Sequence, residues 1–194
     1  DCSKYFKISP DETLRIVQEL YEKKMTTYPR TDARVLSTAV AKEIHKNIGG
    51  LRNYALAAPF AKEVLEQGTY KNIAKTRYVN DKQITDHYAI IPTGQGLNNL
   101  AGLAPTAAKV YEVIVRRFLS IFYPPAVYQK FSLTLQVKEE SFFASFKVLI
   151  QEGYLKVTNF SFKKENTALK EDKENENESA DEKCDAELTN LLMH

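Results

Sequence analysis

The sequence predicts an α+β chain in which a helical domain over residues 1–125 precedes a strand-forming segment over residues 126–164. Three observations carry that prediction. Apolar residues recur at helical spacing behind recognisable caps as far as the Pro124-Pro125 pair. The periodicity then switches to alternation. From Lys163 onward, Glu, Asn and Lys crowd out apolar residues, so residues 165–194 read as an acidic, unfolded linker.

Ser9-Pro10-Asp11-Glu12 opens the first strong helix. Ser9 suits the cap, Pro10 the first helical position, and Glu12 the returning bond of a capping box. Behind it Leu14, Val17, Leu20 and Tyr21 repeat at helical spacing, predicting a helix from Pro10 to Lys24 with these residues as its apolar stripe. Thr26-Thr27-Tyr28-Pro29 breaks it, and the proline places Tyr28 on extended chain. A second helix starts near Ser37, turns Val40 and Ile44 inward and stops at Gly49-Gly50. A third covers Pro59 to Glu66 and is closed by Gly68.

Between Thr69 and Gln83 the pattern lapses, and Lys71, Lys75, Arg77 and Lys82 make a basic loop. A long helix follows from Pro105 to Phe122, with Val110, Ile114, Phe118 and Ile121 as its stripe. Phe131–Val137 and Phe143–Val148 then alternate as strands about a Glu-Glu-Ser turn, and Tyr154–Phe162 reads as a third, completing a β-meander. Two or three strands are marginal alone, so the chain reads as part of a longer polypeptide whose other strands complete the sheet.

The 194 residues are 43% hydrophobic and 27% charged, which suits a globular protein. The net charge of +2 hides a division. About 10 acidic and 3 basic side chains fall between Glu165 and Glu187, leaving about 24 basic against 15 acidic groups in residues 1–164. A basic body suits a polyanionic partner, although ordinary solubilising charge would produce the same excess. The two cysteines, Cys2 and Cys184, form neither a disulfide framework nor a zinc cluster. No apolar run approaches the roughly 20 residues of a membrane span and no signal peptide opens the chain, so the expectation is a cytoplasmic protein with no membrane partner.

Two segments hold the chemistry-bearing residues. In Thr27-Tyr28-Pro29-Arg30-Thr31-Asp32 a tyrosine and an arginine stand two apart, which on extended chain points them broadly the same way. A guanidinium could then sit beside a phosphate that the Tyr28 hydroxyl attacks. Tyrosine, with an ordinary pKa near 10, needs such a cation to act as a nucleophile at neutral pH. Alone, this pattern does not distinguish a nucleophile from a structural tyrosine. The second segment, Thr85-Asp86-His87-Tyr88-Ala89-Ile90-Ile91-Pro92-Thr93, contains one of three histidines, and a lone histidine is commonly a hydrogen-bonded structural group.

Together, and in this order, the segments decide. Leu20-Tyr21-Glu22 through Asp32 resembles the active-site motif of type IA DNA topoisomerases, and Asp86 to Thr93 resembles their histidine motif. Tyr-Pro-Arg and the double isoleucine before Pro92 are closest to the bacterial topoisomerase III group. The resemblance covers roughly residues 10–160. It implies a helical, winged-helix-like domain bearing the tyrosine, followed by part of an antiparallel β arch. It further implies that Tyr28 forms a 5′-phosphotyrosyl bond with single-stranded DNA, that Arg30 positions Tyr28 and the phosphate, and that His87 contacts the DNA backbone. Asp32 would hold the arginine and its loop, while Thr31 and Thr93 would serve loop structure or phosphate hydrogen bonds. Tyr88 stands where the family often has histidine or glutamate.

Lys71, Lys75, Arg77, Arg116 and Arg117 are candidate backbone contacts, with solvated surface as the competing reading. Family members hold Mg2+ in a Toprim domain. No acidic cluster of that kind precedes Tyr28, so the expectation is no metal site in this chain and Mg2+ in the parent. The resemblance thus implies a monomeric, nucleoid-associated bacterial enzyme, ATP-independent, whose Toprim and remaining domains are partners within one polypeptide. The fragment alone is expected to bind DNA without turnover. The rivals are a non-catalytic helix-turn-helix DNA-binding module, a relaxase or tyrosine recombinase, and a protein-interaction domain. A relaxase should show a histidine cluster, a recombinase should place its tyrosine after its Arg/His set, and an interaction domain leaves the paired motifs unexplained.

Overall fold

Helix capping and apolar burial account for most of the architecture. The computed structural model describes residues 1–162, so the acidic linker expected over 165–194 lies outside the described residues. In chain order the elements are α1 (Cys2–Phe6), α2 (Pro10–Glu22), α3 (Thr38–Leu51), α4 (Ala58–Gln67), α5 (Pro105–Ser120), β1 (Val127–Val137), β2 (Glu140–Gln151) and α6 (Leu155–Thr158). Short 3-10 turns cover Thr69–Lys75, Asp81–Gln83 and Leu97–Gly102. One compact unit holds Asp1–Pro124 with Val157–Phe160; Pro125–Lys156 belong to a second. The secondary structure is α+β, as expected.

At the start of α2, Ser9 Oγ accepts the Glu12 amide at 3.1 Å with Pro10 in the first turn. The Thr13 hydroxyl, rather than the Glu12 side chain, returns to the Ser9 backbone, donating to its carbonyl at 2.9 Å. Ser37 caps α3 by accepting from the Val40 amide at 3.1 Å. That helix does not stop at Gly49-Gly50 but continues to Leu51. A Cβ on Gly50 would overlap the Gly94 carbonyl, so the glycine permits close backbone approach rather than ending the helix.

Leu20, Ile44, Ile48, Leu51, Val64 and Leu119 are fully or almost fully buried in the first unit's core, with Met25 and Ile91 joining them from the segments around the two motifs. The fifth helix is buried on more than the expected stripe. Tyr111, Glu112, Val113, Val115 and Arg116 are inside with Val110 and Phe118, whereas Ile114 and Ile121 are only half-buried.

The second unit contains the antiparallel β1–β2 hairpin, with Phe131 opposite Phe146 and their rings stacked at 5.1 Å. Its turn falls at Lys138-Glu139, ahead of the expected Glu-Glu-Ser. The expected third strand over Tyr154–Phe162 is not formed. Leu155–Thr158 is helical, so the described sheet is a two-stranded hairpin rather than a meander. Val157 explains the misreading: its β-branched side chain suits a strand, yet here it is fully buried in the helical unit's core.

Candidate active site

The two motif segments run antiparallel and are tied by a ladder of unusual composition. Thr93 donates its amide to the Met25 carbonyl at 3.0 Å and its hydroxyl to the Lys24 carbonyl at 2.5 Å. Thr26 bridges to Pro92. The Thr27 amide donates to the Ile91 carbonyl at 3.0 Å, while its hydroxyl accepts from the Ile91 amide at 2.9 Å and donates to the Ala89 carbonyl at 3.2 Å. Farther along, the Thr31 hydroxyl donates to the His87 carbonyl at 3.0 Å and accepts from the Ala33 amide at 3.1 Å. Threonine hydroxyls thus satisfy backbone groups where an ordinary strand ladder lapses. Asn47 of α3 anchors the second segment by donating its side-chain amide to the Pro92 carbonyl at 2.9 Å.

This ladder brings together residues that stand apart in sequence. The Tyr28 ring packs against the His87 imidazole at 4.3 Å between centroids, inclined by 34°. Tyr21, in the last turn of α2, meets the same ring edge-on at 5.5 Å and 87°. Tyr28 is half-buried on irregular chain after the Thr26 bridge, while His87 is exposed. Beside them lies a cleft of about 220 Å³ lined by Arg30, Thr31, Asp32, Thr85, Asp86 and His87. Arg30 is exposed and makes no ion pair or hydrogen bond among the described residues, leaving its guanidinium available to an anion. Arg30, His87 and Thr85 can donate to phosphate oxygens, while the Asp32 and Asp86 carboxylates temper the positive charge.

The two-apart reading of Tyr28 and Arg30 is only part of the arrangement, because His87 contributes to both the ring contact and the cleft. Asp32 shares the cleft with Arg30 but forms no ion pair with it. Thr31 and Thr93 hold loop structure through both donor and acceptor bonds. Tyr88 packs half-buried against the core. Among the described residues, no group of three or more His, Cys, Asp or Glu side chains is placed to hold a metal ion.

The other basic candidates separate sharply. Lys71, Lys75 and Arg77 are exposed, and Arg77 lies over the Tyr78 ring at 5.2 Å. Arg116 requires correction as a DNA contact. It is 7% exposed, pairs with buried Glu112 at 2.7 Å, donates to the Val157 carbonyl at 3.1 Å and lies over the Phe60 ring. Its guanidinium is held inside the fold because its side of α5 faces the core. Arg117 is exposed and donates to Asp1 Oδ2 at 2.7 and 3.0 Å.

Sequence reasoning missed Thr27 and Asn47 as organisers of the site, and it named Tyr21 only as a residue of the helix and of the motif, without the ring contact that this 39% exposed side chain makes.

Comparison with known proteins gives the family. The family model described as "DNA topoisomerase" matches residues 1–190. DNA topoisomerase 3 of Bacillus cereus (strain ATCC 14579) is 35% identical over 160 residues, covering 81% of this chain and 21% of that protein. The Bacillus licheniformis protein of the same name is 35% identical over 162 residues, covering 83% and 22%. That of Bacillus subtilis (strain 168) is 34% identical over 155 residues, covering 79% and 21%. The chain spans about a fifth of the length of the curated relatives it matches. With two linked motifs assembled at one cleft and a family match along most of its length, the chain belongs to the DNA topoisomerases, in their type IA class, and is similar to the bacterial topoisomerase III group.

Proposed function

We propose that the chain is the tyrosine-bearing segment of a longer topoisomerase III-like enzyme that cleaves and rejoins single DNA strands through Tyr28. The Tyr28 oxygen attacks a backbone phosphorus, the bond from phosphorus to the 3′ oxygen breaks, and that oxygen leaves with a proton. The 5′ phosphate stays esterified to Tyr28, and the reverse step restores the strand, with the phosphodiester energy conserved and no ATP needed. The observation that carries this reading is the packing of Tyr28 on His87, whose side chain also lines the Arg30 cleft.

In this reading Arg30 binds the scissile phosphate and stabilises the charge that develops on it, and His87 contacts the same backbone. Thr31 holds the loop, and Asp32 lines the cleft beside Arg30. Lys71, Lys75 and Arg77 are available to flanking phosphates, while Arg117 would exchange its Asp1 partner for one. Tyr28 would belong to the winged-helix-like domain and the hairpin to the β arch. Mg2+ and its carboxylates would come from the Toprim domain of the parent, so this chain by itself binds single-stranded DNA without turnover.

The test is to incubate the full-length parent with Mg2+ and end-labelled single-stranded DNA, denature, and look for covalent adducts beside a Tyr28→Phe variant. A 5′-linked adduct absent from the variant supports the reading. An adduct that survives names the wrong tyrosine. Tight binding with no adduct in either protein favours a non-catalytic helix-turn-helix DNA-binding module.

A further inference from the structure

Tyr28 is held on two sides by different kinds of neighbour. His87 lies on irregular, exposed chain, secured near the site by the Thr31 bond to its carbonyl. Tyr21 stands on the last turn of α2, next to fully buried Leu20. Its backbone carbonyl is fixed by the Lys24 amide at 2.8 Å, and the Leu20 carbonyl by the Met25 amide at 2.9 Å. The Tyr21 ring is therefore carried by the core, and it meets the Tyr28 ring edge-on at 5.5 Å and 87°, within the favoured range for aromatic pairs. Its exposure shows that core filling does not account for its place.

We infer that Tyr21 is a positioning residue, whose ring edge fixes the plane of Tyr28 so that the nucleophilic oxygen is presented in line with the scissile phosphate. The ring, not the hydroxyl, does this. Without it, the ring contact left to Tyr28 among the described residues is that with His87, which the DNA backbone also engages, and the phenol samples orientations that do not react. Misplacement of a reacting group slows the chemical step while leaving the bound substrate in place. The inference rests on Tyr28 being the nucleophile.

The experiment is rapid-quench cleavage of labelled single-stranded DNA by the full-length parent at saturating DNA, with Mg2+, for wild type, Tyr21→Leu, Tyr21→Phe and Tyr28→Phe. Binding affinity and unfolding midpoints are measured alongside. Tyr21→Leu should form the adduct about tenfold more slowly, with its affinity for DNA changed less than about twofold, and Tyr21→Phe should restore the rate to within about twofold. Should Tyr21→Leu prove unstable, Tyr21→Gln supports the same comparison on an exposed helical position.

Wild-type cleavage by Tyr21→Leu overturns the inference. A Tyr21→Phe variant as slow as Tyr21→Leu overturns it too, because the hydroxyl would then be the acting group. A loss matched by weaker binding makes Tyr21 a DNA contact instead. Adducts that persist in Tyr28→Phe defeat the underlying nucleophile reading, whereas normal Tyr21→Leu with inactive Tyr28→Phe defeats this inference alone.

Discussion

Thr27 and Ile91, 64 residues apart, are tied by two hydrogen bonds, one from the Thr27 amide to the Ile91 carbonyl and one from the Ile91 amide to the Thr27 hydroxyl. The same hydroxyl reaches the Ala89 carbonyl, so one side chain holds the histidine segment against the tyrosine segment. Thr27→Val keeps the shape and removes these side-chain bonds. It should lower stability by about 1–2 kcal/mol and slow adduct formation, whereas Thr27→Ser should retain both. Urea unfolding and the adduct assay together check this.

Arg30 lines the cleft and makes no ion pair among the described residues, which fits the proposed contact with a phosphate. Arg30→Lys preserves charge but loses the planar donor fork. Adduct formation should fall about 10- to 100-fold while DNA affinity changes by less than about tenfold. Because the side chain makes no hydrogen bond or ion pair among the described residues, the unfolding midpoint should be unchanged.

Buried Arg116 makes the opposite prediction. Arg116→Ala removes the guanidinium that stands 2.7 Å from the buried Glu112 carboxylate and should cost about 3–5 kcal/mol of stability. Arg117→Ala removes only an exposed pair with Asp1 and should cost less than about 1 kcal/mol. Denaturant midpoints of the two variants separate these positions, adjacent in sequence.

Gly50→Ala places a methyl group where the Gly94 carbonyl lies. The segment after Thr93 must move away from α3, straining the Asn47 bond to Pro92. A loss of about 1–3 kcal/mol is expected. Gly49→Ala, with nothing within 4 Å of the added carbon, should be neutral or slightly stabilising in a thermal melt.

Asp81 holds the start of α3 by accepting from the Thr38 amide at 2.8 Å and hydroxyl at 2.6 Å, and these bonds lower its pKa. A carboxylate lowered in the folded state contributes stability above its unfolded pKa and loses it as pH falls through the folded value. The stability difference between wild type and Asp81→Asn should therefore be full above the ordinary aspartate range and shrink below it. Paired thermal melts across that range test the sign.

Local chemistry made much of the fold legible. Ser9 and Ser37 mark helix starts because their hydroxyls satisfy free amides nearby in sequence. The alternation after Phe131 shows in a hairpin, and the two motifs identify the family before any geometry is known. Other residues misled because their partners lie far along the chain. Val157 looks like strand and enters a distant helical core, and Gly50 looks like a helix stop and accommodates Gly94. Arg116 looks like surface, but its carboxylate partner is itself buried.

The sequence by itself determined the α+β class, most helix limits and the two segments that hold the family motifs, since capping, periodicity and motif spacing act over a few residues. Only the tertiary structure decided which side chains meet. It set Tyr28 between Tyr21 and His87, placed Arg30 in the cleft with His87, and withdrew Arg116 from the surface. The physical reason is that ring packing, burial and cross-chain hydrogen bonds depend on distances between segments, which threonine hydroxyls and a close glycine approach create here.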